Sequence, residues 1–247
     1  MGNWEGEMNN NNKLMSRRSF VNLTGTGGMG LVAAVMGWSL QPKGVNAAVS
    51  NSNPVASLSP DDALKRLMDG NQRFVRHKSQ HPHESRIRMA EVAQAQHPFA
   101  TLLTCADSRV PPEILFDLGI GDLFDIRVAG NIVIPEVMGS IEYAVALLGT
   151  PLIMVLGHER CGAVTAAVKG ESLPGHIGSF VKAIKPAISG IKGKSGDLVD
   201  EAVMANVQYQ IERLKQNSAI VSEQLLNGKL KIVGGRYDLD TGEVTLI

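Results

Sequence analysis

The sequence predicts an α/β fold with a mostly parallel central sheet flanked by helices. Three short apolar runs, at residues 99–104, 123–128 and 152–156, have the length and continuity of strands that are buried on both faces. Helical periodicity over residues 136–148 separates the second run from the third. Strands therefore alternate with helices along the chain, which is typical of a parallel sheet covered by helices.

Local signals place the other elements around this core. A Ser-Pro-Asp-Asp segment at residues 59–62 combines a capping serine, a proline at the first helical position and acids near the positive end of the helix dipole, which predicts a helix start. A second early helix is predicted at residues 86–96, and the two form N-terminal helical arms. Further helices are predicted at residues 161–169, 179–191 and 197–226, and a C-terminal β-hairpin at residues 230–233 and 243–246.

Composition and charge exclude several classes of protein. The 247 residues carry 24 Lys+Arg against 24 Asp+Glu, and a nucleic-acid partner is not expected because no basic stripe is present to contact phosphates. The hydrophobic content of 44% excludes disorder as a description of the whole chain. Two cysteines close at most one bridge, so a framework of several disulfides is excluded as well.

The first 47 residues resemble a twin-arginine signal peptide. Arg17 and Arg18 precede an apolar stretch that carries no charge before Lys43, and small residues around Ala47 fit a cleavage site. We therefore predict a signal peptide at residues 1–47, a linker at 48–59, one domain at 60–247, and export to a periplasm or thylakoid lumen. An uncleaved anchor is the alternative, since residues 23–40 have about the minimum length that spans a bilayer. No stable membrane span is expected in the mature chain.

Cysteine and histidine side chains follow two of the predicted strands. Cys105 comes directly after the first apolar run, and His158 and Cys161 follow the third. The carboxyl ends of parallel strands form the crevice in which sites are built, and catalytic zinc binds three protein ligands of this type while keeping a fourth position open. The sequence therefore predicts one Zn²⁺ per chain at these residues, with the following helix favouring the Cys161 thiolate. A Cys105–Cys161 disulfide is the alternative for an exported protein.

These residues also resemble a known family. Cys-x-Asp-x-Arg at residues 105–109 together with His-x-x-Cys at residues 158–161 is similar to the two zinc loops of the β-class carbonic anhydrases. Residues 121–124 and 127–131 are similar to the middle segment of that family, and the similarity covers roughly residues 60–240. The resemblance implies reversible hydration of carbon dioxide to bicarbonate and a proton by zinc-bound hydroxide. It also implies a homodimer or a higher even oligomer, with the helices of residues 60–97 exchanged between subunits.

The resemblance assigns roles to individual side chains. Asp107 is expected either to bind the zinc, which closes the site, or to pair with Arg109, which leaves the site open and lets the carboxylate orient the hydroxide. Asp107 and Arg109 are therefore both expected to be catalytic. Gln96, nine residues before Cys105, and Gly162 are expected to bind the substrate.

Two other functions are compatible with the same sequence. One is a zinc hydrolase of carbonyl sulfide or carbon disulfide on this scaffold. The other is a non-catalytic module that binds bicarbonate or serves as a scaffold. The intact set of metal-site and Asp-x-Arg residues argues against the second alternative.

Overall fold

A computed structural model describes residues 58–170, 172–191 and 197–247. The described residues contain one five-stranded sheet, formed by β1 (Ala100–Thr104), β2 (Leu123–Arg127), β3 (Leu152–His158), β4 (Lys231–Tyr237) and β5 (Val244–Leu246). The strand order is β2-β1-β3-β4-β5; β5 is antiparallel to β4, and all other neighbours are parallel. The predicted mostly parallel α/β fold and the C-terminal hairpin are confirmed. The predicted signal peptide and most of the predicted linker lie outside the described residues.

Helices cover both faces of the sheet. They are α1 (Pro60–Val75), α2 (Arg86–Val92), α3 (Pro112–Leu115), α4 (Pro135–Ala146), α5 (Gly162–Lys169), α6 (Gly178–Ile188), α7 (Leu198–Asn217) and α8 (Ala219–Leu226), with a short 3-10 turn at Gly175–Ile177. In the part of the chain that the structure describes, none of these helices is both long and apolar enough to cross a membrane.

The two early helices behave differently. Ser59 caps α1 as predicted, because its hydroxyl accepts a hydrogen bond from the backbone N–H of Asp62. The apolar face of α1 is buried in the core of its own chain, where Leu67 packs in one cluster with Phe116. By contrast, α2 ends before residue 96, has no buried residue and leaves Ile87 74% exposed. Of these two helices, α2 is therefore the one whose apolar side chains are not covered by the described residues.

The prediction of a single long helix at residues 197–226 is wrong. It is divided at Ser218, whose φ of −122° and ψ of 112° are extended rather than helical. The Ser218 hydroxyl accepts a hydrogen bond from the backbone N–H of Val221 and so caps the start of α8. A serine that bonds the backbone in this way competes with the helical ladder, and apolar periodicity does not reveal it.

Strand β4 extends past the predicted residues 230–233 through a pair of glycines. A Cβ at Gly234 would lie 2.9 Å from Val207 of α7, so the glycine lets this helix pack directly on the strand. Helix α7 covers β3 and β4, and its buried side chains join those of the strands in one apolar cluster. Because β1 and β3 are fully buried and parallel, the loops that follow them open at the same edge of the sheet.

Candidate metal centre

Three potential ligands meet at the carboxyl edge of the sheet. Cys105 follows β1, His158 is the last residue of β3, and Cys161 is the residue that precedes α5. One ligand atom from each lies within 4.8 Å of the others, and the two Sγ atoms are 4.0 Å apart. All three side chains are buried. The structure therefore brings together the three residues that the sequence predicted as zinc ligands.

The chemistry of this cluster fits zinc. Nδ1 of His158 donates to the backbone carbonyl of Glu159 at 2.8 Å, which assigns the hydrogen to that nitrogen. Nε2 is buried and has no hydrogen-bond partner among the described residues, so its lone pair is free to bind a metal. Two sulfurs and one imidazole nitrogen are the donors that zinc prefers, and the cluster contains three residues, which leaves a fourth position.

The two thiols differ in acidity. A hydrogen bond from Cys161, opposed by burial and helped by the backbone N–H of Gly130, lowers the pKa of Cys105 below its ordinary value. The same contact with Cys105 and burial raise the pKa of Cys161 above its ordinary value. The start of α5 acts on Cys161 in the predicted direction. The N–H groups of the helix lower the Cys161 pKa, but burial and the neighbouring Cys105 outweigh them.

Asp107 is held by Arg109 rather than by the cluster. Nε and Nη2 of Arg109 donate to the two carboxylate oxygens at 2.9 and 2.8 Å, and its backbone N–H donates to Oδ1 at 2.9 Å. These bonds hold the pKa of Asp107 well below its usual range. Oδ2 lies 3.9 Å from Nε2 of His158, too far for a hydrogen bond. Of the two arrangements expected from the sequence, the structure contains the one in which Asp107 pairs with Arg109.

The two predicted substrate-binding residues lie at opposite ends of the sheet. Gly162 begins α5 directly after Cys161 and is exposed. Gln96 is also exposed, but it precedes Ala100, where β1 begins, whereas Cys105 follows the residue where β1 ends. Within one chain, the structure therefore places Gly162 beside the cluster and leaves Gln96 at the amino edge of the sheet.

Comparison with known proteins agrees with this site. Residues 100–244 match the family model described as carbonic anhydrase. Carbonic anhydrase 2 of Mycobacterium tuberculosis is 43% identical over 202 residues, covering 79% of this chain and 94% of that protein. The solved β-carbonic anhydrase CcaA is 29% identical with a TM-score of 0.58, and the match covers 74% of this chain and 94% of that chain. The chain belongs to the β-carbonic anhydrase family.

A second solved member supports the same assignment. The Coccomyxa β-carbonic anhydrase, solved in complex with acetazolamide, is 28% identical with a TM-score of 0.59, and the match covers 74% of this chain and 86% of that one. Residues 100–244, which match the family model, include Cys105, His158 and Cys161 of this β-carbonic anhydrase.

Sequence reasoning missed a residue that braces the first of these loops. Arg127, the last residue of β2, donates from Nη2 to the backbone carbonyl of Asp107 at 2.6 Å and from Nε to that of Cys105 at 3.3 Å. These bonds fix the backbone that carries one ligand and the ionised carboxylate. An arginine at the carboxyl end of a predicted strand is the signal that was available in the sequence.

A buried polar network on α7 supports Cys105 from the other side. The backbone N–H of Gly130 donates to Sγ of Cys105 at 3.4 Å, and the Gly130 carbonyl accepts from Asn206 at 2.9 Å. Gln210 donates to Asn206 and accepts from the backbone N–H of Val133. Asn206 and Gln210 are fully buried, four residues apart on the face of α7 that packs on the core. In the sequence, two amide side chains four residues apart on an otherwise apolar helical face are the signal that indicates a buried hydrogen-bonding network.

Proposed function

We propose that this protein is a zinc enzyme that catalyses the reversible hydration of carbon dioxide to bicarbonate and a proton. The observation that carries the proposal is the buried Cys-His-Cys cluster with an ionised, arginine-held Asp107 beside it. Relatives that are 43% identical are named carbonic anhydrases, which supports this substrate over carbonyl sulfide and carbon disulfide. The complete set of site residues favours an enzyme over a non-catalytic bicarbonate-binding or scaffold module.

The three-residue cluster would hold one zinc ion per chain. The ligands would be the sulfurs of Cys105 and Cys161 and Nε2 of His158, because these atoms are already within reach of one another. When bound, zinc supplies a Lewis acid that lowers the pKa of a water molecule toward about 7 and so makes hydroxide available at neutral pH. Both sulfurs would bind zinc as thiolates, so any proton that the two cysteines hold in the metal-free cluster would be released as the metal binds.

The chain itself orients the reactants. The Asp107 carboxylate, kept ionised by Arg109, accepts a hydrogen bond from the attacking water or hydroxide and directs its lone pair toward carbon dioxide. The two-pronged bond from Arg109 also keeps this carboxylate from occupying the fourth position of the cluster. Gly162 is the first residue of α5, so its backbone N–H has no partner within the helix and would be available to an oxygen of bicarbonate.

We further propose that the enzyme is a homodimer, or a higher even oligomer, built across the edge strand β2. Among the described residues, the strand has a neighbour on one side only, and its side chains are mostly half-buried. Apolar side chains around it are exposed, including Ile114, Ile120 and Tyr143, together with Ile87 and Met89 of α2. Exposed apolar groups gathered beside an open strand edge favour pairing with a second copy.

Such pairing would account for Gln96. A two-fold axis that brings two β2 edges together makes the strands antiparallel, so the amino edge of one sheet lies beside the carboxyl edge of the other. Gln96 of one subunit would then approach the cluster of its partner. In this proposal, Gln96 binds the substrate of the second subunit by donating from its side-chain amide.

Metal analysis combined with stopped-flow carbon dioxide hydration tests the enzymatic proposal. The purified protein should contain about one zinc per chain, and Cys161→Ala should lose both zinc and activity. Asp107→Asn is the matched variant, and it should keep zinc while turnover falls by about 100-fold or more. The reason is that an uncharged amide is a weaker acceptor than the carboxylate for the hydrogen bond from the attacking water or hydroxide. Full hydration activity in the chelated protein or in Cys161→Ala would refute the proposal.

For localisation, we propose that residues 1–47 direct export and are removed. The paired arginines, the uncharged apolar stretch and the small residues before position 48 support this. Amino-terminal sequencing of the protein from a fractionated native host tests it. A mature terminus near residue 48 in the periplasmic or lumenal fraction is expected, and an intact terminus in a cytosolic fraction would contradict it.

A further inference from the structure

The loop that carries two of the three metal-site residues is anchored through Glu159. The backbone carbonyl of Glu159 accepts the Nδ1 hydrogen of His158, and its backbone N–H donates to the carbonyl of Tyr237 at 3.0 Å. Tyr237 is the residue of β4 that pairs with His158 in the sheet. Any shift of the Glu159 backbone therefore turns the imidazole or removes the partner that fixes its tautomer.

The side chain of Glu159 is held from two directions. One carboxylate oxygen accepts a hydrogen bond from Nη2 of Arg236, and the other accepts from the backbone N–H of Leu239 at 3.1 Å. Arg236 is itself held by Asp200 of α7, whose Oδ1 accepts from Nε at 2.7 Å. Arg236 thus joins α7, β4 and the His158 loop in one set of contacts.

This arrangement is more enclosed than the other ion pair of the loop. The side chains of Arg236 and Glu159 are 19% and 18% exposed, whereas the neighbouring pair of Arg160 and Asp240 is 53% and 71% exposed. Exposed ion pairs contribute little to stability, whereas enclosed and charge-assisted hydrogen bonds fix geometry. Arg236, rather than Arg160, is therefore the residue expected to restrain the loop.

We propose that Arg236 is a positioning residue for the metal ligand His158, which it holds in its binding orientation through Glu159. The inference rests on the proposed zinc site and goes beyond it, because Arg236 contacts neither the metal-site atoms nor the substrate. Groups that orient a metal-bound histidine from outside the coordination sphere commonly change metal affinity or activity by about 10- to 100-fold when they are removed.

The test is the rate at which the zinc-loaded protein releases its metal to an excess of a coloured chelator. Arg236→Met keeps much of the aliphatic length and removes the charged hydrogen bonds, and it should release zinc roughly 10- to 100-fold faster than the wild type. Glu159→Gln keeps the size of the side chain but removes its charge and one of its two acceptor oxygens, and an intermediate increase is expected. The absorption spectrum of the cobalt-substituted protein should also change in Arg236→Met, because the His158 ligand geometry changes.

Two controls separate positioning from general stability. Arg73→Met breaks another enclosed ion pair, between Arg73 of α1 and the buried Asp117, and should lower thermal stability without faster zinc release. Arg160→Gln removes the exposed pair with Asp240 and a longer contact of 3.7 Å with Glu159, and it should release zinc at close to the wild-type rate. Should Arg236→Met fail to fold, Glu159→Gln decides the question by the same measurement.

The outcomes also separate this inference from the proposed function. If the wild-type protein binds no zinc, the proposed function fails. If the wild type binds zinc and both Arg236→Met and Glu159→Gln release it at the wild-type rate with an unchanged cobalt spectrum, the positioning role of Arg236 is overturned while the metal site stands.

Discussion

The position of Gln96 leads to a test of how the active site is assembled. Gln96→Ala and Asp107→Asn affect different edges of the sheet: the first removes the amide at the amino edge, and the second alters the carboxylate at the carboxyl edge. If each site combines Gln96 of one subunit with Asp107 of the other, a mixed dimer of the two variants contains one intact site and one doubly impaired site. Two poorly active proteins should therefore give an active mixed dimer.

The structure sets the size of the expected effect. β1 has five residues, so its ends are about 13 Å apart at about 3.3 Å per residue, and Gln96 lies beyond the amino end. A glutamine side chain does not span that distance to Cys105 of its own chain. Losing one hydrogen bond to the charge that develops as bicarbonate forms costs about 1.5–3 kcal/mol, so the Gln96→Ala homodimer should lose about 10- to 100-fold of its activity, and the Asp107→Asn homodimer about 100-fold or more. The mixed dimer should recover about half of the wild-type activity, because one of its two sites is intact.

The assay requires purified mixed dimers. The two variants are co-expressed with different affinity tags, the mixed dimer is isolated by two successive purifications, and carbon dioxide hydration is measured by stopped flow. A mixed dimer of Gln96→Ala with the double variant Gln96→Ala/Asp107→Asn is the control, since neither of its sites has Gln96 and no recovery is expected. Activity in the first mixed dimer no greater than the mean of the two parents would refute the shared site.

Three other predictions follow from the structure. Burial of Asp125 and the neighbouring Glu113 carboxyl raise the pKa of Asp125 to about 8. The proton bound to Asp125 therefore contributes stability that is complete below about pH 4 and is lost as the pH rises to about 8. Asp125→Asn has no such proton to lose, so the difference in free energy of unfolding between this variant and the wild type should favour the variant more at pH 8 than at pH 5. Urea titrations at the two pH values measure this difference, and an equal difference at both would contradict the prediction. Gly157→Ala would place a Cβ 2.8 Å from Val203 and Val207, so the free energy of unfolding should fall by about 1–3 kcal/mol. An unchanged free energy of unfolding would contradict this, because it would mean that α7 shifts away from the strand without cost. Removing the metal with a chelator should lower the melting temperature, and zinc but not magnesium should restore it.

The strands and the metal cluster were the parts of the structure that the sequence predicted best. Apolar runs that are buried on both faces have few alternative structures, and residues at the ends of neighbouring parallel strands have to meet at one edge. Cys105 and His158 therefore lie close together, as their places after two such runs predicted. The pairing of Asp107 with Arg109 is one of the two arrangements that the sequence left open, and the structure contains that one.

Contacts between distant segments could not be predicted in the same way. Asn206 reaches the Gly130 loop, and Arg236 reaches Glu159, across more than seventy residues in each case. Their partners become known only when the packing of α7 and β4 on β3 is known. The division of the last long helix at Ser218 was missed for a related reason, since the cap depends on a local hydrogen bond that competes with a periodic apolar pattern.

The restraints on the metal cluster come from separate parts of the sheet, and this links metal binding to folding. Gly130, itself held by α7, donates to the sulfur of Cys105, while the carbonyl of Glu159, fixed by β4, orients His158. Each contact exists only when α7 and β4 are packed on β3, so an unfolded chain presents the three ligands without their orientation. Binding energy at such a site therefore adds to the stability of the fold, and a loosened α7 or β4 weakens the metal site before it unfolds the domain. Metal release is thus a more sensitive measure of packing at this edge of the sheet than thermal unfolding.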